Sequence, residues 1–170
     1  MYFSTSRLRV RKAEWSDYPA FHEMQSSERV MGFIIGRAKT ESENRNEMEK
    51  ILASYNHQKQ DFLVMVISRK DDKQDLLIGT CAIIKNEEGE YEIGYRLSEA
   101  FWGKGFGSEV LEGLIDYCFQ RTDISSVVAT VHKDNLVSCK ILDRSPMELI
   151  KETIDKETKE KVRIYKLEKM

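Results

Sequence analysis

Glu90-Tyr91-Glu92-Ile93-Gly94-Tyr95-Arg96-Leu97, continued by Trp102-Gly103-Lys104-Gly105-Phe106-Gly107-Ser108 and the run to Arg121, decides how the rest of the chain is read. The spacing predicts a strand, a glycine-spaced loop and a helix. Glycine has no Cβ, so backbone N–H groups in such a loop can converge on one anion. Behind the loop, Val110, Leu111, Leu114, Ile115, Cys118 and Phe119 recur at helical spacing and form one apolar face. A helix starting at the last glycine aims its free N–H groups and positive dipole end at the same anion. A phosphate-bearing ligand is expected there, the plain alternative being a glycine-rich turn that binds nothing.

Two common phosphate motifs do not fit. The Walker pattern needs Gly-x-x-x-x-Gly-Lys-Ser/Thr, whereas Lys104 lies between glycines with no hydroxyl after it. The dinucleotide fingerprint Gly-x-Gly-x-x-Gly fails because the third glycine arrives one residue early.

Bulk properties narrow the class. A chain of 170 residues predicts a single domain spanning 1–170, large enough to fold without disulfides or structural metal. The formal charge of -2 carries no signal for nucleic acid or an anionic membrane. Cys81, Cys118 and Cys139 lack bridge or metal spacing; Cys81 and Cys118 read as core residues. His22, His57 and His132 are scattered, so no metal is expected. The longest apolar run, Phe62 to Ile67, is too short to span a bilayer, and the N-terminus lacks a signal segment. The cytoplasm is the expected location.

Outward from the loop, Arg7 to Arg11 reads as a half-buried strand, and Ser16 as the cap of a helix from Asp17 to about Gln25. Val30 to Gly36 reads either as a loop against the core or as a substrate-lining segment. Glu41 to Gln60 carries a narrow apolar stripe at Met48, Ile51, Leu52 and Tyr55, predicting a charged helix. Phe62–Ser68, Leu76–Lys85 and Glu90–Leu97 read as strands, Ser126–His132 as another, Asn135–Arg144 as a short helix, and Leu149–Ile154 with Val162–Glu168 as a closing hairpin. The expected fold is α+β, with a mixed, mostly antiparallel sheet of six to seven strands flanked by helices.

Glu92-Ile93-Gly94-Tyr95 followed by Trp102 to Glu109 resembles the acetyl-CoA-binding core of the GNAT superfamily of N-acetyltransferases, and more narrowly its RimJ/RimL-like branch. Thr5-Ser6-Arg7-Leu8-Arg9-Val10-Arg11 resembles that branch's opening strand. Asn135-Leu136-Val137-Ser138 with Ile141-Leu142-Asp143-Arg144 resembles its Asn-x-x-Ser helix. The resemblance implies the GNAT (acyl-CoA N-acyltransferase) fold and acetyl-CoA as cosubstrate. It also implies direct transfer to a primary amine, either a protein N-terminal α-amine or a small amine such as a polyamine or antibiotic. A CoA-binding module without turnover is the alternative from another class. Homodimerisation is left open.

The same resemblance distributes roles. The backbone from Trp102 through Gly103, Lys104, Gly105, Phe106 and Gly107 to Ser108 would hold the diphosphate. An N–H near Gly94 or Tyr95, beside Ile93, would face the developing oxyanion where the family's strand bulges. Glu92 stands where relatives carry a strand glutamate that takes the amine proton; Glu90 shares its strand face, and Tyr91, Ile93 and Tyr95 take the other. Asn135 would touch the pantetheine arm. Ser138 would donate a hydrogen bond to the departing thiolate, whose ordinary pKa near 8.5 makes a strong acid unnecessary. Tyr95, then Tyr165, are reserves for that task, and helix capping is the alternative role of Asn135. Gly107 replaces a common alanine, a change read as harmless. Pro146-Met147 replaces a Gly-Phe pair; proline cannot form the left-handed helix cap, so the helix is expected to end by about Arg144.

Overall fold

A computed structural model describes residues 1–58 and 61–170. Its strands form one sheet in the order β1-β2-β3-β4-β5-β6-β8-β7. They are β1 (Phe3–Ser4), β2 (Leu8–Arg11), β3 (Phe62–Arg69), β4 (Leu77–Lys85), β5 (Tyr91–Leu97), β6 (Ser126–His132), β7 (Glu148–Ile154) and β8 (Lys161–Glu168). Every pairing is antiparallel except β5 with β6. The α+β class and the mixed sheet agree with the sequence reading. The strand count is eight rather than six to seven, because Phe3–Ser4 folds back on Val10 and Arg9 as a two-residue edge.

Helices cover both faces. α4 (Phe106–Arg121) and α5 (Leu136–Arg144) lie on one side; α1 (Tyr18–Gln25), α2 (Glu28–Met31) and α3 (Glu41–Ser54) lie on the other. Strand alternation explains the two cores. Met65, Ile67, Ile93 and Leu97 pack with Val110, Leu111, Leu114 and Cys118 of α4, while Val64 and Val66 pack with Phe21, Met24, Met48 and Ile51. The β3 run Phe62–Ile67 therefore reads as continuously apolar because each face meets its own core.

Several local expectations change. Ser16 does not cap α1: it lies inside a 3-10 turn, Trp15–Asp17, closed when the Glu14 N–H donates to Asp17 Oδ2 at 2.8 Å. Asp17 is fixed in turn by Arg11, whose Nη1 and Nη2 each donate to it at 2.9 Å. The helix expected over 41–60 stops at Ser54, and 59–60 lie outside the described residues. Its start is well marked, with Thr40 accepting from the Glu43 N–H and the Glu43 carboxylate reaching back to the Thr40 N–H. No helix among the described residues is long and apolar enough to cross a membrane.

Candidate active site

The site begins where the sheet opens. β5 and β6 pair in parallel only at Tyr91–Val127 and Glu92–Val128, although β5 runs on to Leu97 and β6 to His132. Beyond Glu92 the strands part, leaving a wedge walled by main-chain groups. The expected bulge in β5 is absent: its register with β4 runs without a shift from Lys85–Tyr91 to Gly79–Leu97. Splaying, not bulging, frees the β5 backbone around Ile93, Gly94 and Tyr95. Nothing lies within 4 Å of where a Gly94 Cβ would sit, so that side of the strand is open.

Below the wedge lies the glycine loop. Gly103 and Gly105 have φ of 72° and 81°, conformations that a side chain would strain, and Gly105 is the N-cap of α4. No described residue accepts from the N–H groups of Gly103 to Ser108; those of Phe106, Gly107 and Ser108 belong to the first turn of the helix and have no intrahelical acceptor. Consecutive unpaired donors at the positive end of a sixteen-residue helix fit a diphosphate well. Trp102 anchors the loop's entrance by donating its indole N–H to the Leu97 carbonyl at 2.8 Å, and Arg29 stacks on its outer face. Lys104 is exposed.

Tyr95 and Ser138 come together on the α4–α5 face. Burial pushes the Tyr95 phenol up, partly offset by the nearby Ser138 hydroxyl. Gly107 is what lets the phenol sit there. A Cβ on Gly107 would lie 2.9 Å from the Tyr95 hydroxyl and 3.0 Å from Ile141 Cδ1. The glycine read as harmless thus leaves room that a methyl would take only by shifting the Tyr95 and Ile141 side-chain tips. Asn135 caps α5, accepting from the Ser138 N–H at 3.3 Å, so its capping role is real and fixes the first turn that carries Ser138. Tyr165 is not at the site: it is buried and donates to Asp143 at 2.7 Å. α5 ends at Arg144 as expected. Ser145 closes it, donating to the Leu142 carbonyl and accepting from the Met147 N–H, and Met147 fills the core at 4% exposure. Cys139 is buried, and burial pushes its thiol up, which disfavours the nucleophilic thiolate.

Glu92 faces the other way. It lines a cavity of about 210 Å³ with Gly32, Phe33, Thr130, His132 and Glu160, so the segment Val30 to Gly36 both packs its Val30 and Met31 into the core and borders this cleft. Burial, the largest cause, raises the Glu92 pKa above the ordinary carboxylate range; the Thr130 hydroxyl opposes the shift, and Asp155, Glu88 and Glu90 add to it. Glu90 itself turns to Lys166 at 3.1 Å and leaves the cleft to Glu92. His132 accepts from the Asp134 N–H through Nδ1, stacks obliquely on Phe33 and lies 3.5 Å from Glu160 through Nε2. Thr130, Asp155 and Glu160 escaped the sequence reading. Alternation on β6 carries the signal for Thr130 and His132, but only once Glu92 is known to sit beside Val128. No group of three potential ligands for a metal occurs among the described residues.

The glutamate and the hydroxyl pair thus occupy opposite faces of the sheet, joined through the gap between β5 and β6. The sequence profile of the acetyltransferase (GNAT) domain matches residues 7–148. The uncharacterized N-acetyltransferase p20 of Bacillus licheniformis is 31% identical over 141 residues, covering 82% of this chain and 78% of its own. Among solved structures, a GNAT-family acetyltransferase from Bacillus anthracis superposes with a TM-score of 0.83 at 22% identity, over 99% of this chain and 98% of that one. RimL, a ribosomal L7/L12 alpha-N-protein acetyltransferase solved with coenzyme A, superposes at 0.80 with 21% identity, over 97% and 96%. At such identities the structures speak for the fold, whereas the profile covers most of the chain: this protein belongs to the acetyltransferase (GNAT) domain family and is an acetyl-CoA-dependent acetyltransferase.

Proposed function

We propose that the chain transfers acetyl from acetyl-CoA directly to a primary amine, with a protein N-terminal α-amine as acceptor, in the manner of the RimL-like branch and in the cytoplasm. The observation that carries this reading is Glu92, half-buried at the point where β5 and β6 part, with an open cleft on its own face and Tyr95 and Ser138 behind the gap. Acetyl-CoA supplies the activated acyl carbon. The N–H groups of Gly103 to Ser108 hold its diphosphate, with Trp102 fixing the start of that loop, and Asn135 borders the pantetheine arm. A freed N–H at Gly94 or Tyr95 faces the carbonyl oxygen. Glu92 takes the amine proton, directly or through a water, and its raised pKa brings it closer to the operating range of a general base. Ser138, backed by Tyr95, donates a hydrogen bond to the thiolate.

The demand on Glu92 depends on the acceptor. An α-amine of pKa about 7.7–8.0 is already about one-tenth neutral at pH 7, whereas a lysine-type amine near 10.4 is neutral in about one molecule per thousand or fewer. Replacing Glu92 by Gln is expected to lower kcat/KM about 10²–10⁴-fold for a high-pKa amine, less for an α-amine, with the gap closing at high pH. Equal rates for variant and parent at every pH exclude Glu92 as the base. One observation favours a second reading, a small cationic amine: the cleft is lined by Glu92, Asp155 and Glu160, with no Lys or Arg among its described lining residues. A panel of N-terminal peptides and small amines, followed by release of CoA thiol, separates the two. Reaction of small amines alone removes the protein acceptor.

A further inference from the structure

The geometry points to Arg7 and Glu109 as positioning residues for CoA binding, acting through the glycine loop rather than on the ligand; this rests on the reading that the loop holds the diphosphate. The starting observation is a charge in an unfavourable place. Glu109 lies in the first turn of α4, where a carboxylate would repel an anion bound at the same helix end. It is not left bare. Its Oε1 accepts from the Thr5 hydroxyl at 2.5 Å, the Arg7 N–H at 2.7 Å and the Ser6 hydroxyl at 3.2 Å, and its Oε2 from Arg7 Nε at 2.7 Å. Burial pushes its pKa up, but these donors and the Arg7 charge together outweigh it and hold the carboxyl below the usual range, so it stays ionised beside Arg7.

The other arm of Arg7 sets the loop's direction. Arg7 Nη1 donates to the Lys104 carbonyl at 2.9 Å, and its guanidinium lies 4.4 Å from the centre of the Phe106 ring. Peptide bonds here are trans, so a carbonyl and the N–H of the next residue point in opposite directions. Fixing the Lys104 carbonyl on Arg7 therefore turns the Gly105 N–H away from Arg7, leaving it free alongside the other unpaired donors of the loop. Gly105 allows this with φ of 81°, and Arg7 Nη2 lies 3.3 Å from where its Cβ would be. The N-terminal segment is built against α4 to make the bridge possible. Phe3 stacks on Tyr117, and a Cβ on Gly113 would come within 2.8 Å of both Phe3 and Thr5. Phe3 and Thr5 thus brace α4, the helix that the loop opens.

Calorimetric titration of the full chain with CoA tests the assignment, with circular dichroism and Tm recorded for each variant. Arg7→Gln and Glu109→Gln are each expected to weaken CoA binding about tenfold or more, as loss of charge-assisted hydrogen bonds implies. The double variant should be no weaker than the worse single one, because both act through one bridge. Arg7→Lys keeps the charge without the planar fork that reaches Glu109 and Lys104 together, and should not restore affinity. Thr5→Val, which keeps both charges, supplies a milder variant with a smaller loss in the same direction. Folded variants that bind as the parent does, additive losses in the double variant, or parental affinity in Arg7→Lys each overturn the assignment while leaving the CoA reading intact. A parent chain that binds no CoA overturns both.

Discussion

At the scale of single residues, the site is a set of conflicts settled by neighbours. Glu92 is kept half-buried, which raises its pKa and makes its ionised form costly in the folded state. The sign for stability follows. An acid whose folded pKa lies above its unfolded value supports folding most fully below the unfolded pKa, and that support is lost as pH rises through the folded one. Glu92→Gln is therefore expected to raise Tm at neutral pH while lowering activity, with the gain vanishing below about pH 4.3, the ordinary glutamate value. A melting series across pH checks it; a gain independent of pH would assign the effect to something other than ionisation. Gly107 makes the opposite case, an unremarkable residue whose missing side chain sets where Tyr95 sits. Gly107→Ala brings a methyl to within 2.9 Å of the Tyr95 hydroxyl and should displace Tyr95 from Ser138, while the overpacking cost of about 1–3 kcal/mol in denaturant melts is offset by the roughly 1 kcal/mol that alanine gains over glycine in a helix.

At the scale of elements, strand geometry and helix ends do most of the positioning. β5 keeps an unbroken register with β4, so Glu92 and Tyr95 are held on opposite faces by simple alternation. β6 departs from β5 after two residue pairs, and that departure gives both faces access to one gap. α5 is tied at both ends, by Asn135 at its start and Ser145 at its close. Asn135→Ala should cost about 1 kcal/mol through loss of the cap, whereas Asn135→Asp retains it. Comparing the two in unfolding and in KM for acetyl-CoA separates capping from ligand contact: if Asp restores stability but not KM, the side chain also meets the pantetheine arm. Equal recovery of both would leave capping as its whole role.

At the scale of the molecule, a ligand that binds only the folded chain must stabilise it. With free CoA at a hundred times its Kd, linkage gives about 2.7 kcal/mol. For a chain of this length that corresponds to a rise of about 5–10 °C in Tm. No shift at saturating CoA contradicts the diphosphate site. What the chain could disclose by itself was everything written as a local period: the apolar face of α4, the strand boundaries of β6, the glycine spacing of the loop, the capping role of Asn135 and the end of α5 at Arg144. These depend on neighbours within a turn or a hairpin, so the pattern lies in the sequence. The splay that replaced the expected bulge, the close approach of Tyr95 to Gly107, the ring of Phe33, Thr130, His132 and Glu160 around Glu92, and the Arg7–Glu109 bridge appear only in the folded chain. Each joins residues tens to about a hundred positions apart, and no local period records which distant segment arrives at which face. Packing of α4 against the sheet on one side and α1 to α3 on the other decides that.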